Sequence, residues 1–171
     1  MSNTSTKPLP KKVAVKTVIR RKAAPVALKK PIGGVVSYCV HGPAGKVTFP
    51  SSKLVEVLRV GLPVRELKEL QATLDVPMEK LVPMLGISKA TLHRRKAEGR
   101  LDQAESDRVV RFAKLMGKAV EVMESQESAR QWLNSPQFGL GGAVPLEYAE
   151  TEVGAREVEN LLGRIEYGVY S

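Results

Sequence analysis

The sequence predicts a mainly α-helical protein in two consecutive helical parts, with a short β hairpin and a disordered basic arm in front of them. Three observations predict this. Apolar residues recur at helical spacing between residues 64 and 165. Ser, Thr and Asp stand where helix caps are needed. The first 33 residues contain neither an acid nor an aromatic side chain, a composition that cannot offset the entropy of ordering.

Each element has its own justification. Residues 1–33 are rich in Lys, Pro, Ser and Thr and read as the arm. Residues 35–49 hold two β-leaning runs, Val-Val-Ser-Tyr-Cys-Val and Lys-Val-Thr-Phe, around His-Gly-Pro-Ala-Gly, the pattern of a hairpin, followed by a linker to residue 61. Pro63 suits the first position of a helix that continues through Val64, Leu67, Leu70 and Leu74. Pro77 opens a short segment over 78–85, and Ser88 begins another that Gly99 stops. Asp102-Gln103-Ala104-Glu105 is a capping box for a long helix carrying Val109, Phe112, Met116 and Val120 on one face. Ser125 caps a shorter helix ending near Asn134. Gly139, Gly141 and Gly142 read as a flexible loop. Thr151 caps the last helix, with Val158, Leu161, Leu162 and Ile165 on its inner side.

Charge is distributed unevenly over the 171 residues, whose net formal charge is +9. Residues 1–55 carry eleven basic and no acidic side chains; residues 119–171 carry three basic and nine acidic. A cationic front and an acidic rear suggest two partners, one of them polyanionic. No apolar run reaches the ~18 residues of a membrane span, and no apolar segment near the N-terminus resembles a secretory signal. A single cysteine, Cys39, fits a reducing compartment, so a cytoplasmic location without membrane association is expected.

The central stretch, Met78 to Lys96, reads MEKLVPMLGISKATLHRRK. Gly86 suits the tight corner between two short helices. Leu81, Val82 and Leu85 before it, and Ile87 and Leu92 after it, supply the inward apolar residues; Ile87 and Leu92 have the spacing of a hydrophobic staple around Ser88. Ser88, Lys89, Thr91, His93, Arg94, Arg95 and Lys96 then form a polar, basic second helix, the form that enters a DNA major groove. This is a helix-turn-helix. Pro83 interrupts the first helix and should bend or shorten it.

No catalytic constellation, metal site or cofactor loop is found in the sequence. Cys39 and His41 would share a strand face, but two ligands do not make a tetrahedral site. Glu147 and Glu150 read as a solvated helix face, and Gly-Leu-Gly-Gly lacks the preceding strand of a phosphate loop. Trp132 reads as core, beside Ala129 and Leu133.

The rear third carries Ala129-Arg130-Gln131-Trp132-Leu133, Gly139-Leu140-Gly141-Gly142, Pro145-Leu146 and the terminal Gly163-Arg164-Ile165-Glu166-Tyr167-Gly168-Val169-Tyr170. In order and spacing these resemble the toxin-binding domain of the Xre/MbcA/ParS antitoxins, and the resemblance extends over about residues 65–171. It implies an antitoxin that neutralises an NAD-degrading RES-domain toxin and represses its own operon through the helix-turn-helix, as a homodimer within a larger toxin–antitoxin assembly. It also implies a division into a helix-turn-helix domain at 62–118 and a small helical toxin-binding domain at 119–171. The expected toxin contacts are Leu140, Glu166, Tyr167, Gly168, Val169, Tyr170 and Ser171. There Glu166 and the carboxylate of Ser171 would mimic the phosphates of NAD⁺, and Tyr167 and Tyr170 would enter an aromatic-lined cleft. The competing expectations are a plain dimeric regulator whose rear domain only oligomerises, and an enzyme with a helical DNA-binding appendage.

Overall fold

This computed structural model describes residues 34–42 and 51–169. The basic arm over 1–33, the β-leaning run over 46–49, and Tyr170 and Ser171 lie outside the described residues. Among the described residues the order is α1 (Val35–His41), α2 (Ser51–Val60), α3 (Val64–Leu74), α4 (Met78–Met84), α5 (Lys89–Glu98), α6 (Gln103–Met123), α7 (Gln126–Asn134), a 3₁₀ turn (Phe138–Leu140), α8 (Pro145–Tyr148) and α9 (Glu152–Glu166).

The longest helix organises the others. α6 buries Val109, Val110, Phe112, Ala113, Leu115, Met116 and Ala119. These residues cover most of its circumference, so it must be surrounded. α1, α2, α3, α7 and α9 all pack on it. Its start is fixed by the capping box: the Glu105 N–H donates to Asp102 Oδ1 (2.7 Å) and the Asp102 N–H to Glu105 Oε2 (2.8 Å). Ser125 and Thr151 cap α7 and α9 in the same manner, each accepting from the backbone N–H three residues on. The division expected between residues 118 and 119 falls inside α6, and buried residues from Val35 to Leu162 form one continuous core.

The N-terminal elements differ from the expected hairpin. The run that resembled a strand is the helix α1, and the expected linker over 51–60 is the helix α2. On α1, Val36 and Val40 lie one turn apart and are both buried against the core. Valine's lower helix propensity amounts to a few tenths of a kcal/mol per residue, less than the 1.5–3 kcal/mol, approximately, that burying one such side chain contributes. α2 places Leu54, Val57 and Leu58 on the core at helical spacing and ends at Gly61. With α1 helical, Cys39 and His41 no longer share a face; burial pushes the Cys39 thiol up, with Lys114 opposing.

α1 is also held by a side chain distant in sequence. Its Val36 N–H donates to Glu66 Oε2 (3.0 Å) on α3, which is 1% exposed. Burial pushes the Glu66 carboxyl above the usual carboxylate range, while the Val36 N–H and Arg65 act against that rise. A raised carboxyl pKa means that the fold holds this proton more tightly than the unfolded chain does. Its contribution to stability is therefore complete below the unfolded pKa and is lost as pH rises through the folded one. Glu66→Gln keeps an acceptor oxygen for Val36 and removes the buried charge. Urea unfolding at pH 5 and pH 7 should find the variant at least as stable as wild type at pH 7, with less change between the two; a loss of more than about 1 kcal/mol at pH 7 would contradict this account.

Candidate functional sites: the basic helix and the C-terminal end

The corner between α4 and α5 is built by backbone geometry. Gly86 has φ +63°, which lets the Ile87 N–H reach the Val82 carbonyl (3.0 Å) and the Gly86 N–H reach that of Pro83 (2.7 Å). From α6, Arg108 Nη1 donates to the Leu85 carbonyl (3.0 Å). A Cβ at position 86 would sit 3.1 Å from that nitrogen. Pro83 is exposed in the last turn of α4, and the helix ends one residue later. Leu81, Val82, Leu85 and Ile87 are buried, and Leu92 packs on the same core. Ser88 caps α5, accepting from the Thr91 N–H (3.0 Å).

α5 itself buries no residue. Lys89, His93, Arg94 and Lys96 are exposed, and Thr91 is half-buried with its hydroxyl 2.9 Å from that of Ser88. Arg95 is placed differently. Its side chain is 14% exposed, and it donates through Nε to Glu105 (2.7 Å), through Nη1 to Glu98 (2.8 Å) and through Nη2 to Asp102 (2.7 Å). These bonds, that to Glu105 foremost, raise its already high pKa, so it is a fixed cation. Arg95 thus joins α5 to the start of α6. The basic side chains turned outward on α5 are the other four.

At the opposite end, α9 carries Val158 and Leu162 into the core and ends at Glu166. Glu166 accepts from Lys118 of α6 (2.7 Å), and this bond raises the pKa of Lys118. Beyond it the chain turns at Gly168: the Gly168 N–H reaches the Ile165 carbonyl (3.1 Å) and the Val169 N–H that of Arg164 (2.9 Å). Tyr167 and Val169 emerge 79% and 54% exposed. Leu140 packs against the core, and Trp132 packs there half-buried. The three glycines expected in a flexible loop belong to a bonded turn. The Gln137 N–H donates to the Ala143 carbonyl (3.0 Å) and the Gly142 N–H to that of Gln137 (2.9 Å). Its tip residue Phe138, which the sequence reading did not single out, is 99% exposed.

Two family models match this chain. Residues 53–114 match the antitoxin Xre-like helix-turn-helix domain, and residues 118–168 match the antitoxin Xre/MbcA/ParS C-terminal toxin-binding domain. A Yersinia enterocolitica protein named Antitoxin Xre is 33% identical over 131 residues, covering 74% of this chain and 88% of the relative. The chain belongs to the Xre antitoxin family. A second Antitoxin Xre, from Photorhabdus laumondii, is 35% identical over 73% of this chain and 88% of its own length. A Sphingobium protein named Prs ADP-ribosylating antitoxin is 27% identical over 68% of this chain and 80% of its own length. The first model begins at residue 53, so α2 belongs to the helix-turn-helix unit of the family.

Within that unit Arg94 and Arg95, adjacent in sequence, have different surroundings. Arg94 is 61% exposed on its side chain, with only Glu98 at 3.8 Å, whereas Arg95 is enclosed by three carboxylates. Binding to duplex DNA, followed from 50 to 200 mM salt, should separate them. Arg94→Ala should make the slope of log K against log salt shallower by about 0.9, the loss of one phosphate contact. Arg95→Ala should weaken binding with the slope unchanged, because it alters the placement of α5 and neutralises no phosphate. Equal slope changes in the two variants would contradict the assignment.

Proposed function

We propose that this Xre-family chain is a two-ended antitoxin: α5 binds operator DNA and represses the chain's own operon, and the C-terminal end holds an NAD-consuming RES-domain toxin inactive. The observation that carries the reading is that one core presents two unlike outward surfaces. α5 offers four basic side chains with no buried residue among its own. The far end offers Tyr167 and Val169 beyond the last core contact. A polyanion suits the first surface, and an apolar cleft suits the second.

The rear third adds electrostatic support. With nine acids against three bases, residues 119–171 complement an enzyme pocket built to take the pyrophosphate of NAD⁺. The name of the Sphingobium relative refers to ADP-ribosylation, a reaction that likewise consumes NAD⁺. Glu166 is engaged by Lys118, so it meets a toxin arginine only by exchanging one cation for another. The segment that enters the toxin therefore starts at Tyr167 in this reading. An antitoxin of this kind acts by occupying a site and needs no catalytic group of its own.

Truncation after Glu166 tests the toxin-directed end. It keeps α9 and the Lys118 bond and removes only the emerging segment. Co-expressed with the product of the adjacent gene, the truncated chain should fold, melt within a few degrees of wild type and still bind operator DNA. It should no longer prevent the fall in cellular NAD⁺. Full protection of NAD⁺ by a folded truncated chain would contradict the proposed role of the C-terminal segment.

A further inference from the structure

Among the described residues Phe138 is the most exposed large apolar side chain, at 99%, and its turn is closed by backbone bonds. The 3₁₀ turn that carries it is closed by the Gln137 N–H on the Ala143 carbonyl (3.0 Å) and the Gly141 N–H on the Phe138 carbonyl (3.0 Å). Gln137 Nε2 fixes its base by donating to the carbonyls of Trp132 and Ser135, both at 3.0 Å. The two residues after Phe138 lie against the rest of the fold. A Cβ at Gly139 would lie 2.6 Å from Leu161 Cδ1 of α9, and Leu140 packs on the core. Of this 3₁₀ turn, Phe138 is the side chain presented outward, and it is almost fully exposed among the described residues.

The surrounding sequence is as distinctive as the geometry. Residues 131–146 contain no Asp, Glu, Lys or Arg in a chain that is 26% charged, where about four would be expected in a stretch of that length. Loss of charge around an exposed aromatic is the composition of the desolvated centre of a protein interface. It is the opposite of a nucleic-acid surface, which needs cations. Phenylalanine has only two side-chain torsions to fix on docking, and a turn closed by backbone bonds adds little ordering cost.

We infer that the Phe138 turn is an anchor of the toxin interface, inserting its ring into an uncharged, apolar socket on the toxin. The assignment to the toxin, and not to a second copy of this chain, rests on the proposed function above and on position. The turn lies within the segment that matches the toxin-binding domain, and it packs directly on α9, the helix that leads to the C-terminal end. It provides a contact distinct from the Tyr167 segment and independent of any toxin active site. An interface with two separate anchors would keep the partner bound even when the active-site cleft is occupied by substrate.

The test uses the full-length chain and a catalytically inactivated RES-domain protein, the product of the adjacent gene in this reading, with affinity measured by calorimetry. Phe138→Ala should weaken binding by about thirtyfold or more, a hot-spot loss, and Phe138→Leu should fall between the two. Because the ring is almost fully exposed among the described residues, both variants should melt as wild type does, so a folding defect does not obscure the result. Affinity within about threefold of wild type for Phe138→Ala overturns the inference. So does a change of mass in light scattering with toxin affinity intact, which would give the surface to a second copy of the chain. If the wild-type chain itself fails to bind the RES-domain protein, the proposed function fails first and this assignment with it.

Discussion

The rest of the structure depends on the burial of α6 around most of its circumference. A 21-residue helix with Val109, Val110, Phe112, Ala113, Leu115, Met116 and Ala119 directed inward has no single apolar face to give to one neighbour. It can be satisfied only by elements from both parts of the chain, with α1, α2 and α3 coming from before it and α7 and α9 from after it. This requirement merges two sequence-defined domains into one core. It also explains how α1, rich in β-branched residues, becomes a helix, since the alternative leaves α6 partly uncovered.

Polar bonds then tie α6 to its two outward-facing neighbours at opposite ends. Near its start, Asp102 and Glu105 hold Arg95 and with it the basic helix α5. Acids at a helix N-terminus also favour the helix dipole, so the same two side chains serve cap, dipole and clamp. Toward its other end, Lys118 holds Glu166 where α9 finishes. α5, which has no buried residue, owes its position to this clamp together with Ile87 and Leu92. The outer surfaces are accordingly free of core duties: Lys89, His93, Arg94 and Lys96 on one side, Phe138, Tyr167 and Val169 on the other.

Much of this was legible in the sequence where the signal is local. Ser88, Asp102, Ser125 and Thr151 mark four helix starts because a cap acts within three residues. The corner at Gly86 and the apolar residues flanking it are local for the same reason. What was not legible depends on approach in space. The bond from Val36 to Glu66 spans 30 residues, so the helix it helps to start reads as a strand. Arg95 reads as one more outward cation because its sequence does not disclose that three carboxylates converge on it. Leu140 reads as the outward contact of its turn and Phe138 as nothing in particular, and only the packing of this turn in space shows Leu140 against the core and Phe138 exposed. The helix over 51–60 did carry a signal, in Leu54, Val57 and Leu58 at helical spacing ahead of Gly61, which the expected linker passed over.

If one core serves both ends, the protein must unfold as a unit. Trp132 is the only tryptophan and sits on α7, so its fluorescence reports the part after α6, while far-UV circular dichroism reports every helix. Urea unfolding of the full-length chain, followed by both signals on the same samples, is the most direct measurement. A shared core gives superimposable transitions with one midpoint. Two midpoints separated by more than about 0.5 M urea would mean that the two parts melt independently and would contradict the shared core.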